Sequence, residues 1–230
     1  MQKTTLMIVA VALVGCASTS ISPEQSALVE KKLREALQKP TGELTQADKL
    51  KLTGFGGHGW QINAEGLREV AKLKNLTSLT LNASPTTDAG LEEVAKLQNL
   101  TTLHLGRGTK ISDAGLKHLV KLHKLNRLEL HAAHITDKGL KEVAKIKNLT
   151  YLGLAETKIT DAGFKELVKL RKLNTLPLNE TQITDVGLKE LAKLPKIRHI
   201  NVENTRVTKA GVAELQKALP KCEIQSNAKK

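Results

Sequence analysis

The sequence predicts an α/β solenoid: a right-handed stack of short parallel strands with helices along the opposite face. Three observations carry that prediction. Seven glycines recur in one phase, Gly66, Gly90, Gly115, Gly139, Gly163, Gly187 and Gly211, separated by 24, 25, 24, 24, 24 and 24 residues. Around each glycine, apolar residues fall first at helical and then at strand spacing. Aromatic residues make up only 2% of the chain, so the core has to be built from recurrent Leu, Val, Ile and Ala.

The helix comes first in each unit. The residue three before each glycine is Asn63, Thr87, Ser112, Thr136, Thr160, Thr184 or Thr208. Each has a side-chain oxygen able to accept an orphan N–H at a helix start. Asp88, Asp113, Asp137, Asp161 and Asp185 follow, in the first turn, where the helix dipole favours an anion. Apolar residues then line one helical face, as Leu116, Leu119, Val120 and Leu122 do. The period next changes to two, from Leu79-x-Leu81 through Ile200-x-Val202, giving short strands with one face inward. Leu50-x-Leu52 upstream and Cys222-x-Ile224 downstream extend the series to about eight strands. One unit has too few apolar side chains to offset backbone ordering at about 1–2 kcal/mol per residue, so it folds only by stacking on its neighbours.

This unit, written L-x-x-L-x-L-x-x-T-x-I-T-D-x-G-L, resembles leucine-rich repeats. Its long helix and 24-residue period are similar to the ribonuclease-inhibitor-like and GALA-type bacterial subclasses. The resemblance runs from about residue 44 to 226. It implies a parallel sheet on the concave face, helices on the convex face, and partners taken by the concave face. Ser84, Ala133, Thr157, Thr181 and Thr205 stand where the family carries a ladder of asparagines. A threonine hydroxyl partly replaces that ladder, and Ala133 does not. Pro177 removes one strand N–H in mid-sheet.

The N-terminus reads as an address. Residues 1–15 form a secretory signal, with Lys3 ahead of a Leu6–Val14 apolar run too short to span a bilayer core of about 30 Å. Leu13-Val14-Gly15-Cys16 resembles the bacterial lipobox. That resemblance implies lipidation of Cys16 and a lipid anchor in the bacterial cell envelope, with Ala17 tilting the expectation to the outer membrane. Residues 16–22 then form a tether, and 23–40 an amphipathic cap helix with Pro23 near its start. Residues 41–226 form the solenoid, and 227–230 a basic tail. Cys222 is left as a lone thiol at an inward position, better suited to the core than to nucleophilic work.

Candidate binding residues lie on the outward positions of the strands. Binding hot spots favour Tyr, Trp and Arg, so Arg127 and Tyr151 are the central anchors, with Glu129, His104 and His131 beside them. His104 and Glu129 fall next to each other on strands about 4.8 Å apart. The spacing His131-x-x-His134 runs off a strand end, so no metal centre is expected. The segment Gly54–Trp60 reads as an insertion that makes the first strand spacing 29 residues. Phe55 and Trp60 then either form an aromatic contact loop at the concave rim or plug the end of the core.

The net charge is +13, and the lysines are ordered. Lys96, Lys121, Lys145, Lys169 and Lys193 recur six residues after each glycine and form a basic stripe on the convex face, diluted by interleaved glutamates. This stripe supports an alternative role, contact with anionic lipid or polymer. No Gly-x-Ser-x-Gly, His-Glu-x-x-His or paired cysteine is present, and the glycines around Phe55 match no phosphate-binding loop. The sequence therefore leads to a non-enzymatic, cofactor-free and monomeric binding module for an unknown protein or glycan, tethered to a membrane. Nucleic acid is not expected as a partner, since stacking aromatics are nearly absent.

Overall fold

The computed structural model describes residues 21–228. Eight three-residue strands form one parallel sheet in chain order. They are β1 (Gly54–Gly56), β2 (Ser78–Thr80), β3 (Thr102–His104), β4 (Arg127–Glu129), β5 (Tyr151–Gly153), β6 (Thr175–Pro177), β7 (His199–Asn201) and β8 (Glu223–Gln225). Two helices precede the first full repeat, α1 (Pro23–Leu37) and α2 (Gln46–Leu50). The repeat helices are α3 (Ala64–Val70), α4 (Asp88–Val94), α5 (Asp137–Val143), α6 (Asp161–Leu167), α7 (Asp185–Leu191) and α8 (Lys209–Ala218). In the 25-residue unit the helix is a 3₁₀ segment, Gly115–Lys121.

The centres of β2 to β7 are apolar side chains buried against the helices, and the registers align them: Leu79, Leu103, Leu128, Leu152, Leu176 and Ile200. One elongated core results, running from Val29 and Leu33 of α1 to Cys222. Pro177 leaves its mark in the sheet, where β5 and β6 share a single register pair, Tyr151 with Thr175.

The aspartates after the cap residues act across the repeats. Asp137 accepts from the backbone N–H of Thr160 at 2.9 Å and from its hydroxyl at 2.7 Å, in the next unit. Asp88, Asp113, Asp161 and Asp185 make the same pair of bonds to Ser112, Thr136, Thr184 and Thr208. The recurrent glycine is the other half of this joint. A Cβ at Gly163 would lie 2.6 Å from Oδ1 of Asp137, and one at Gly139 2.5 Å from Oδ1 of Asp113. From Gly115 to Gly211 the glycine phase thus admits the preceding repeat's carboxylate. Asn63, Ser112, Thr136, Thr160, Thr184 and Thr208 also accept backbone N–H bonds from their own first turns, whereas Thr87 makes no such bond.

The cap helix uses the same joint. Gln25 is buried, its amide oxygen accepts from the Asn63 backbone N–H at 3.0 Å, and it fills the space over Gly66. A glutamine of α1 thus stands where a repeat would place its aspartate. Between the first and second repeats the acid is missing, because Ala64 occupies its position.

Three expectations are corrected. The first strand is Gly54–Gly56, not Leu50-x-Leu52. Leu50 ends α2 and is exposed, and Leu52 fills the seat that Leu76 fills one repeat later. The first strand spacing is therefore 24 residues, Gly54–Trp60 is not an insertion, and Lys49, Lys51 and Thr53 lie outside the sheet. Gly56, at φ +105°, approaches the Thr80 carbonyl too closely for any side chain, so this position has to be glycine. At the other end Ile224, not Cys222, pairs with Ile200. Finally, the hydroxyls of Ser84, Thr157, Thr181 and Thr205 form no ladder between repeats. Each closes its own turn by donating to the carbonyl three residues back. Cross-repeat side-chain bonds come instead from the turns before the strands, such as Asn99 to the Lys74 carbonyl and Thr101 to the Thr77 carbonyl.

Candidate functional site on the concave sheet

The strand register decides which polar side chains meet. His104 is paired with Glu129, and Arg127 with Tyr151. The Arg127 guanidinium lies 3.5 Å from the centroid of the Tyr151 ring and donates to Glu129. Nδ1 of His104 lies 3.1 Å from the same carboxylate. One turn onward the arrangement recurs. Glu156 receives Arg107 and lies 3.0 Å from Nε2 of His131. Two carboxylates thus each sit between an arginine and a histidine.

Small residues hollow out the space between them. Gly106, Gly153, Ala155 and Pro177 leave a depression of 560 Å³, with Arg107, Glu129, His131 and Tyr151 among the residues around it. A Cβ at Gly106 would lie 2.7 Å from Oδ1 of Asn82, and that buried oxygen has no hydrogen-bond partner. A Cβ at Gly153 would press on the Tyr151 ring at 3.3 Å. Burial raises the Tyr151 hydroxyl above its ordinary pKa, and the neighbouring Glu129 charge adds to the rise against the opposing effect of Arg127.

The sequence-derived anchors Arg127, Glu129, Tyr151, His104 and His131 all fall on or beside this depression. Phe55 and Trp60 do not. Their rings meet edge to face at 5.2 Å, with Phe55 8% and Trp60 3% exposed, so they close the end of the core and have no surface to offer a partner. Sequence reading missed Arg107 and Glu156, which lie just past the strands in the turns. Glu156 occupies a left-handed turn at φ 55°, a conformation shared by Ala132, Glu180 and Asn204 at 24-residue intervals, and that periodicity was the available signal.

The convex lysines are largely engaged. Lys96, Lys145, Lys169 and Lys193, each two residues past the end of a helix, bond the glutamate three residues earlier on that helix, at 2.6–2.7 Å. The expected basic stripe is thus a row of exposed ion pairs, individually weak but close to neutral. Lys121 has no carboxylate partner among the described residues, because His118 stands where the glutamate recurs. Cys222 is buried, and its burial pushes the thiol pKa up. Among the described residues no three His, Cys, Asp or Glu side chains come together to hold a metal ion. Cys16 lies outside the described residues.

Residues 96–120 and 169–192 match a family model described as Leucine Rich repeat. The chain has the leucine-rich-repeat fold. Its fold is similar to that of internalin C2 from Listeria monocytogenes, at 23% identity and a TM-score of 0.62, over 87% of this chain and 92% of that one. It is also similar to the internalin inlF from the same organism, at 24% identity and a TM-score of 0.65, over 94% of this chain and 67% of that one. No curated protein matches the leucine-rich-repeat chain in sequence.

Tyr151 is the only tyrosine, so its phenolate absorbance reports the site directly. The titration midpoint is expected above 10, and Glu129→Gln lowers it by removing a nearby negative charge. The folded chain holds this proton more tightly than the unfolded one. Its contribution to stability is therefore complete below pH 10 and lost as pH rises beyond it. A midpoint unmoved by the substitution contradicts the described contact.

Proposed function

We propose that the chain is a non-enzymatic protein-binding module that takes its partner on the concave sheet, over the Arg127–Tyr151 pair. The observation that carries this reading is the depression itself. It combines a stacked arginine and tyrosine, which suit a binding hot spot, with a floor of small residues into which a partner's side chain fits. The polar rim is held in place by its own pairs, so little side-chain ordering is left to offset on binding. The absence of catalytic motifs in the sequence is consistent with binding rather than turnover. Pull-down from bacterial envelope extract tests it. Arg127→Ala with Tyr151→Ala is expected to weaken partner capture at least about tenfold, the size of loss found at hot spots, without loss of folding. Unchanged capture rejects the concave face as the binding surface.

We further propose that the module is held in the bacterial envelope by acyl chains on Cys16, with the outer membrane as its destination. Support comes from the Leu6–Val14 run and the Leu13–Cys16 motif. No helix among the described residues is long and apolar enough to cross a membrane, so such a tether would supply the attachment. Mass spectrometry of the mature N-terminus is expected to find Cys16 first and acylated, with Cys16→Ala released from membranes. An unmodified Cys16, or retention of the variant, contradicts the tether.

A further inference from the structure

The cations that the helix pairs leave unused gather on one edge. Each repeat passes from helix to strand through a turn: residues 71–77, 95–101, 122–126, 144–150, 168–174 and 192–198. These six turns contain twelve lysines and arginines and no aspartate or glutamate. Lys72, Lys96, Lys145, Lys169 and Lys193 pair with glutamates of the preceding helices, and the other seven have no such partner among the described residues. The six turns from strand to helix, residues 81–87, 105–114, 130–136, 154–160, 178–184 and 202–208, contain four acids and four bases, and Asp88, Asp137, Asp161 and Asp185 open the helices that follow. In-register stacking gathers the first set along one edge of the sheet and the second along the other.

The free heads lie on the basic edge. Lys74, Lys124, Lys147, Lys172 and Lys196 are all exposed. Lys74 and Lys147 donate to the carbonyls of Ala71 and Ala144, and Lys124 and Lys172 to the side chains of Asn99 and Asn148. None of the five meets a carboxylate among the described residues. Strand spacing of about 4.8 Å makes the row about 25 Å long. One of these lysines stands in each repeat except the second, where Gln98 and Asn99 take their places.

We propose that this edge binds an extended anionic polymer carrying a phosphate or carboxylate on successive units. Cations recurring along the stack match a linear array of anions, and lysine heads read charge without demanding one geometry. Two observations favour a polymer over a lipid leaflet. The large apolar side chains exposed among the described residues are Leu50 and Val186, and neither lies in these turns, so nothing there inserts into a bilayer. The chain also enters the fold at the opposite edge, where the Ser22 N–H donates to Glu65 in the first turn of α3. On the reading that Cys16 is the anchor, the basic edge then points away from the anchoring membrane. The six turns hold no aromatic residue, which leaves no platform for nucleic-acid bases.

Binding of linear polyphosphate and of alginate to the purified chain at low salt tests this. Replacing Lys74, Lys124, Lys147, Lys172 and Lys196 by Gln is expected to weaken binding at least about tenfold and to flatten its salt dependence. Replacing Lys110, Lys138, Lys158, Arg206 and Lys209 by Gln removes equal charge at the other edge and is expected to leave binding within about twofold, since short-range contact rather than net charge decides it. Replacing the first five by Arg keeps binding and shows that the surface, not the fold, was altered. Equal losses in the two Gln variants, no binding of either polymer by the parent chain, or tighter binding through the same edge to phosphatidylglycerol vesicles would each overturn the proposal. None of these outcomes bears on Arg127 and Tyr151, so failure here is distinguishable from failure of the concave site.

Discussion

The carboxylate that opens each repeat helix is spent on the next repeat. Asp88, Asp113, Asp137, Asp161 and Asp185 each bind the backbone N–H and the hydroxyl of the cap residue one unit on. A charge-assisted bond to a helix-start N–H satisfies a donor that would otherwise be orphaned. Because acid and cap belong to different units, each helix is completed only by its predecessor. Gly115, Gly139, Gly163, Gly187 and Gly211 are dictated by the same joint, since the space for a Cβ there is taken by the preceding carboxylate. The chain ends keep to this logic: Gln25 of the cap helix supplies the oxygen for the first repeat, and the last repeat carries Lys209 where no successor helix needs an acid.

In-register stacking is also what makes a surface. Neighbouring units place His104 beside Glu129 and Arg127 over Tyr151 although 24 or 25 residues separate the partners along the chain. The same register gathers the helix-to-strand turns into one acid-free edge and the acid-bearing turns into the other. The molecule therefore has two distinct surfaces: a shaped and internally paired depression on the sheet, and a charged edge with little shape. These suit different chemistries, and occupation of one leaves the other open.

Much of the fold was legible because the repeat is periodic. The glycine phase located the starts of α3 to α8, and the Leu-x-Leu pairs located six central strands within a residue, whereas α2 went unseen. The first strand was hidden because Gly54-Phe55-Gly56 lacks the paired leucines, and Leu50-x-Leu52 imitates them in the wrong register. A glycine strand is visible only through the Thr80 carbonyl that crowds it, and that is a tertiary fact. The concave site was half legible. Alternation along strands found Arg127, Glu129, Tyr151 and His104, whereas Arg107 and Glu156 sit in turns to which period-two reasoning assigns no direction. Burial of Phe55 and Trp60 followed once the first strand was in place. The aspartates were assigned to their own helix dipoles, since a single unit shows no sign that their partner lies one repeat away.

The missing rung between the first two repeats gives the most direct access to this joint. Ala64 occupies the acid position, and Thr87 in the next unit makes no capping bond of its own. Urea unfolding of Ala64→Asp measures what one rung contributes. The account predicts a gain of about 1–2 kcal/mol, the worth of a charge-assisted bond to a helix-start N–H. A stability equal to or below that of the parent chain would contradict the claim that the carboxylate of one repeat holds the next.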